Sequence, residues 1–135
     1  MYAPTQFRED RADVLHGAIR DLRFCALVTS KADGLAVTHL PMMLRMEDGQ
    51  PFLEGHVAIQ NAHWRDCAGA SVAIFQGPQA YVSPGWYETK RQHGKVVPTW
   101  NYVAVHANGA LEAVTDGAWL ARHLGELTDA SEAGQ

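Results

Sequence analysis

Apolar residues recur at two different spacings along this chain, and the spacing changes near residue 24. Between residues 10 and 22 they lie three or four positions apart, as on the buried face of an amphipathic helix. These residues are Val14, Leu15, Ala18, Ile19 and Leu22. Asp10 begins the stretch, where a carboxylate can accept hydrogen bonds from the first backbone N–H groups. The pattern predicts a helix over residues 10–22 that is capped by Asp10.

After this helix, short apolar runs alternate with turn sequences, which predicts an antiparallel meander. The first three strands are expected at residues 24–29, 35–46 and 52–57, with turns at 31–34 and 47–50. Asp33-Gly34 in the first turn is a strong hairpin signal. Pro41 lies inside the second strand and indicates an edge, a bulge or a strand end, because proline has no N–H to donate.

The second half predicts more strands and a last helix. A short helical segment is expected at 59–67, a strand at 71–75 that breaks at Gly77-Pro78, extended chain at 81–83, a polar and mobile segment at 88–95, and a strand at 96–106. Residues 106–109 are predicted to turn, so that residues 110–114 pair back. Asp116 is predicted to cap a helix that ends near Leu127. Together these elements predict a mainly β fold, a β-barrel with peripheral helices.

Composition narrows the class of protein. The 135 residues fit one domain, and the net charge of −4 argues against non-specific nucleic-acid binding. Lys90, Arg91, His93 and Lys95 still form a local basic segment. No apolar run reaches the roughly 20 residues of a membrane span, and the first residues do not resemble an export signal. We therefore expect a cytoplasmic protein in which Cys25 and Cys67 are buried, reduced thiols.

Three clusters of polar residues could carry chemistry. The first is Thr38-His39; the second joins His56 to Asn61, His63 and Trp64; the third joins Lys90 to Thr99, Trp100 and Asn101. A lysine and hydroxyl groups can hold a phosphate, and an indole can cover a flat ring. Each cluster is equally open to a structural role, as a backbone-bonded histidine, a local cap, or a solvated loop beside a core strand.

Several site classes lack their signatures. The chain has no Gly-x-Ser-x-Gly, no His-Glu-x-x-His, no Cys-x-x-Cys and no glycine-rich dinucleotide loop. His56 and His63 have no third partner at a metal-ligand spacing, so we expect no metal site. A helix-turn-helix with a basic recognition helix is also missing.

Five ordered motifs resemble the PaiB-type family of FMN-binding negative transcriptional regulators. They are Met1-Tyr2-x-Pro4-x-x-Phe7, Thr38-His39-Leu40-Pro41, Gly55-His56-Val57-Ala58-x-x-Asn61-x-x-Trp64, Phe75-Gln76-Gly77-Pro78-x-Ala80-Tyr81-Val82-Ser83-Pro84-x-Trp86-Tyr87 and Val97-Pro98-Thr99-Trp100-Asn101-Tyr102-x-x-Val105-His106. The likeness covers residues 1–128, which form the expected domain, and residues 129–135 are expected to form a flexible tail.

The resemblance implies a homodimer of FMN-binding split barrels with the cofactor at the subunit interface. It implies that His56 and Asn61, with Thr38 and His39 nearby, hold the FMN phosphate. Lys90, Thr99, Trp100 and Asn101 would complete the cofactor site, across the dimer in some arrangements. The family is linked to repression of protease and sporulation genes, and direct DNA binding stays open because this sequence has no obvious DNA-reading element.

Two departures from the family pattern bear on this expectation. Ile59 stands where many relatives carry a polar or aromatic residue, often arginine, so one phosphate anchor is missing. Family members also usually continue for roughly 70 further residues beyond a domain of this size. A natural short form and a truncated chain both stay open.

The main alternative is a haem-binding split-barrel enzyme, for haem degradation or for N–N bond formation of the piperazate-synthase kind. In that case the resemblance makes His56 the axial ligand, since imidazole binds haem iron well. A third possibility is an interaction domain whose cofactor site has decayed. The sequence leaves open whether the protein is an enzyme, although a flavin-binding regulator is favoured over a catalyst.

Overall fold

The fold is known from a computed structural model, which describes residues 1–65 and 67–133. The strands are β1 (Phe24–Lys31), β2 (Gly34–Glu47), β3 (Gln50–Gly55), β4 (Ser71–Val82) and β5 (Thr99–Gly109). The α-helices are α1 (Ala12–Leu22), α2 (Glu88–His93) and α3 (Gly117–Glu132), and short 3-10 helices occupy Thr5–Phe7, Ala62–Arg65 and Pro84–Trp86.

The five strands form an antiparallel arrangement in the order β3-β2-β1-β4-β5. This confirms the predicted mainly β fold, in agreement with a split barrel carrying peripheral helices. Both predicted hairpin turns are present. Lys31 pairs with Gly34 across the first turn. In the second, Asp48 and Gly49 have φ of 48° and 78°, the positive pair that a tight type I′ turn requires.

Pro41 lies inside β2, where the strand changes partners, so it does not end the strand. It has a paired strand on one side only, as at the predicted edge. Residues up to Pro41 pair with β1, and residues from Met42 onward pair with β3. The missing proline N–H falls at this change of partner, and the next N–H, of Met42, donates to the Arg23 carbonyl at 2.9 Å. The strand therefore stays continuous while its hydrogen-bonding partner changes.

Two strand predictions in the second half were wrong. Gly77-Pro78 does not break β4 but produces a register shift between Gln76 and Gln79 against β5. The predicted turn at residues 106–109 is also missing, because β5 runs through to Gly109 and pairs it with Ser71. Pairing with an existing strand satisfies the backbone groups that a local Asn-Gly turn would otherwise use, and residues 110–114 form no strand.

The helix ends differ from the predicted ones as well. Asp10 does not cap α1; its carboxylate accepts from Arg8 Nε at 2.7 Å, and the N-cap residue is Arg11. Asp116 does cap α3, accepting from the Trp119 N–H at 2.6 Å.

Helix α3 continues to Glu132, beyond the predicted end near Leu127, and Arg23 anchors it by donating to the Ala130 carbonyl. Flexibility of the predicted tail at 129–135 stays a prediction, and its residues 134 and 135 lie outside the described residues. Within the short helical segment predicted at 59–67, Ala62–Arg65 forms a 3-10 helix, and residue 66 lies outside the described residues. The segment predicted to be polar and mobile contains the exposed helix α2.

One face of the sheet and helix α1 enclose the core. Its buried members are Ile19, Cys25, Leu27, Leu40, Met42, Ala73, Phe75 and Val105. Burial raises the pKa of the Cys25 thiol to about 11, so this cysteine is an inert apolar side chain at neutral pH. Cys67 is only half-buried, against expectation, and is also a free thiol. Among the described helices, none has the length and apolar character needed to cross a bilayer.

Candidate functional site

A buried histidine, His63, organises the polar residues behind the loop that follows β3. Its side chain is 5% exposed. Nδ1 lies 2.8 Å from the Thr38 hydroxyl, and Nε2 lies 2.8 Å from the Thr29 hydroxyl. The Asn61 amide donates to the Thr38 hydroxyl at 3.1 Å, and its oxygen accepts from the His63 backbone N–H at 2.9 Å. The structure therefore brings together Thr38 and Asn61, two predicted cofactor residues.

We assign the proton positions in this network, here called the His63 relay, from its buried end. The Ser71 hydroxyl donates to the Gly69 carbonyl at 3.3 Å, so the Thr29 hydroxyl donates to Ser71 across 2.7 Å. Thr29 then accepts from His63 Nε2–H, which leaves Nδ1 as the acceptor for Thr38 O–H. Burial, with a smaller contribution from the Lys31 ammonium, lowers the pKa of His63 and keeps its imidazole neutral.

The relay limits what its outer residues can offer a ligand. The Thr38 hydrogen is used by His63, and its oxygen accepts from Asn61. The second amide hydrogen of Asn61 is the donor left for an anion. Positive charge nevertheless reaches this loop, because Arg65 donates to the Ile59 carbonyl at 3.3 Å and lies over the Trp64 ring at 5.4 Å. Arg65 thus places a positive charge beside Ile59, the position where relatives often carry an arginine and this chain does not.

His56 belongs to a different cluster. It is half-buried just after β3, and its Nδ1 lies 3.3 Å from Nε2 of His123 on α3. His123 is fully buried and stacks on Trp119, with ring centroids 5.2 Å apart. Burial, followed by the proximity of His56, lowers the pKa of His123. Within the described residues no hydrogen bond joins His56 to Thr38 or Asn61, so the predicted second cluster divides in two.

A buried carboxylate lies on the other side of His123. Glu54 is 8% exposed and accepts from Arg45 Nε at 3.0 Å and from Arg122 Nη2 at 2.9 Å. Both arginines also pair with Glu126. Burial alone would raise the pKa of Glu54, but the hydrogen bonds from Arg122 and Arg45 outweigh it and lower the pKa, so Glu54 is ionised. Its Oε2 lies 3.8 Å from His123 Nδ1.

Trp100 lines a shallow cavity of about 250 Å³ beside the register shift between β4 and β5. Its indole is 55% exposed, donates to the Gln79 amide oxygen at 2.8 Å, and lies 5.9 Å from the Tyr81 ring. The other lining residues are Gln76, Gly77, Tyr102 and Val103. The surface therefore presents exposed rings beside amide groups.

The remaining predicted residues are exposed and separate from the relay. His39 follows Thr38 on β2, so its side chain points to the opposite face, where its ring lies 6.3 Å from Phe24. Thr99 and Asn101 flank Trp100 at the start of β5, and Lys90 lies on α2. Sequence reasoning missed Thr29, Ser71 and Glu54. Strand pairing brings Thr29 and Ser71 together, and Glu54 acts through arginines on β2 and α3, so none of the three roles leaves a local signal.

Comparison with known proteins decides the family. The family model described as "Putative FMN-binding domain" matches residues 1–135. The chain belongs to this FMN-binding family. FMN is accordingly its cofactor, and the haem alternative is not favoured.

Three relatives show how far the likeness extends. Protease synthase and sporulation protein PAI 2 of Bacillus subtilis is 34% identical over 111 residues, covering 81% of this chain and 51% of that protein. The uncharacterised protein YKL070W of Saccharomyces cerevisiae is 32% identical, covering 73% of this chain and 61% of its own length. AN0679 of Emericella nidulans is 30% identical, with 98% and 66% covered. The chain thus spans between half and two thirds of these relatives.

The residues present suit FMN in kind. An isoalloxazine ring needs an apolar face with polar groups at its edges, which Trp100 and the amides of Gln76 and Gln79 provide. A phosphate needs N–H donors and positive charge, which Asn61 and Arg65 provide near the loop after β3. When bound, FMN would supply a redox-active ring. Ring-type and phosphate-type contacts occur in separate patches of one chain.

Proposed function

We propose that this chain binds FMN in a site shared by two copies and acts as a PaiB-type regulator of gene expression. The observation that carries the proposal is the exposed aromatic surface around Trp100, in a chain that matches the FMN-binding family throughout. Its volume of about 250 Å³ is below the roughly 300–1,000 Å³ of usual ligand pockets. A second copy would supply the missing wall.

An apolar sheet face supports the dimer. Directly opposite residues of antiparallel strands share a face, and Val28 lies opposite both Val37 and Val72. The face turned away from the core also carries Phe24, Leu35 and Ile74. Leu35 is 70% exposed and Phe24 is 58% exposed. Contiguous apolar surface of this kind usually marks an interaction site, and a second copy of the chain is the occupant we propose.

Lys90 is the proposed cation for the FMN phosphate. It is exposed on α2 and makes no side-chain hydrogen bond or ion pair to the rest of the described chain. We expect Lys90→Ala to weaken binding of FMN about tenfold and binding of riboflavin much less, because only FMN carries the phosphate. The measurement is quenching of flavin fluorescence on titration with protein. Lys95→Ala, which removes another exposed lysine near α2, is the matched control, and equal losses for both ligands would contradict this role.

The regulatory role rests on the likeness to a relative named for protease synthesis and sporulation. A host strain lacking this chain should show changed transcript levels that the wild-type chain restores and a variant unable to bind FMN does not. Full restoration by that variant would separate regulation from cofactor binding. We further propose a cytoplasmic location, which the free thiols of Cys25 and Cys67 support.

A further inference from the structure

In the cluster that joins Glu54, His123 and His56, the position of the buried carboxylate decides which ring nitrogens carry protons. His123 is fully buried, and its Nδ1 is the one buried side-chain nitrogen or oxygen in the described residues that lacks a hydrogen-bond partner. The nearest anionic atom is Glu54 Oε2 at 3.8 Å, too far for a hydrogen bond but close enough to act electrostatically. Two arginines hold that carboxylate in place, so it cannot turn away.

The carboxylate selects the tautomer of His123. A neutral imidazole carries one proton, on Nδ1 or on Nε2. With the proton on Nε2, the Nδ1 lone pair would face a buried carboxylate oxygen with no hydrogen between them. With the proton on Nδ1, the N–H dipole points at the negative charge instead. The second arrangement is the favourable one, and it leaves Nε2 of His123 as a hydrogen-bond acceptor.

The tautomer of His56 then follows. His123 Nε2 lies 3.3 Å from His56 Nδ1, and a hydrogen bond between two nitrogens needs one proton. Since His123 Nε2 accepts, His56 must carry its proton on Nδ1. His56 Nε2 has no partner among the described residues and is not among the buried atoms that lack one, so it is open to solvent as a bare lone pair.

We propose that Glu54, acting through His123, fixes His56 as a hydrogen-bond acceptor for an N–H or O–H group of the bound flavin. Phosphate oxygens are acceptors and would face this lone pair unfavourably. His56 therefore contacts the ring or the ribityl chain of FMN and not its phosphate, against the role that the sequence resemblance implied. The flavin half of this inference rests on the proposed function, whereas the tautomer does not.

The tautomer can be measured without any ligand. Long-range ¹H–¹⁵N correlation spectra of the labelled protein, at about pH 8 where an ordinary imidazole is neutral, distinguish protonated from bare ring nitrogens. We expect the proton on Nδ1 in His56 and His123. His63 is an internal control, because its relay requires the proton on Nε2. A His56 ring with its proton on Nε2 would overturn the inference.

Glu54→Gln tests the cause. Each oxygen of Glu54 accepts from an arginine, so a glutamine keeps the shape of the side chain but removes the negative charge that favours the proton on Nδ1 of His123. The fraction of His123 and His56 with the proton on Nδ1 should therefore fall, while His63 is unchanged. Unchanged tautomers in the folded variant would overturn the role of Glu54. If the variant fails to fold, the wild-type spectrum decides the tautomer alone.

The flavin contact is tested with His56→Ala. We expect FMN and riboflavin to lose affinity by the same factor, about tenfold, as for one hydrogen bond removed. A loss confined to FMN would place His56 at the phosphate and overturn the assignment. If the wild-type protein binds neither flavin, the proposed function fails and the flavin contact fails with it, while the spectrum still decides the tautomer.

Discussion

Replacing Thr29 by valine tests the buried relay, because the change removes one oxygen and keeps the side-chain shape. Thr29 is fully buried between His63 Nε2 and the Ser71 hydroxyl, at 2.8 and 2.7 Å. The variant leaves the His63 N–H without an acceptor, which costs about 1–3 kcal/mol, and loses the bond to Ser71, worth about 1 kcal/mol. Together we expect about 2–4 kcal/mol less stability and a Tm lower by about 10 °C.

Urea unfolding followed by tryptophan fluorescence, at one protein concentration, measures this loss. Thr99→Val makes the same chemical change at an exposed position outside the relay and should stay within about 0.5 kcal/mol of the wild type. A double-mutant cycle with His63→Leu sharpens the test, since Thr29→Val should cost less once the imidazole is gone. A Thr29→Val protein as stable as the Thr99→Val control would refute the relay.

Three further predictions concern the core and the cofactor surface. A Cβ at Gly69 would lie 1.8 Å from the Ser30 carbonyl oxygen, so Gly69→Ala should lower the free energy of unfolding by at least about 2 kcal/mol. In helix α1 a Cβ at Gly17 would meet no atom within 4 Å, so Gly17→Ala should raise the free energy of unfolding by about 1 kcal/mol. Urea unfolding measures both changes. Burial lowers the pKa of His63 and His123, so the unfolded chain takes up their protons at a higher pH than the folded chain does. The stabilisation from the two neutral histidines should therefore be present in full above about pH 6.5 and be lost below it. The urea midpoint should be lower at about pH 5.5 than at about pH 8. Trp100→Ala should weaken FMN and riboflavin about equally in fluorescence titrations, since an indole contacts the ring.

Local patterns were enough for elements whose signal is local. The helical spacing of residues 10–22, the two tight turns and the Asp116 cap all appear in the structure. Strand extent was predicted less well. The Asn108-Gly109 turn signal was overruled because both residues pair with the start of β4, and such pairing depends on a partner more than 30 positions away.

The candidate site shows the same division. Thr38 and Asn61 were predicted and do lie together, but the histidine that joins them uses Thr29 and Ser71, residues with no distinguishing sequence context. His56 was predicted from its Gly-His context. The environment of His56 could not be predicted, because it depends on His123 of the last helix, which contacts His56 on one side and lies near Glu54 of β3 on the other.

The central claim is that FMN binds between two copies of this chain, and sedimentation velocity recorded at both protein and flavin wavelengths tests it most directly. The account predicts that flavin absorbance moves with a particle of twice the 14.8 kDa chain mass, with one FMN per chain. Flavin that stays behind in the solvent, or that moves with a single chain, would contradict it.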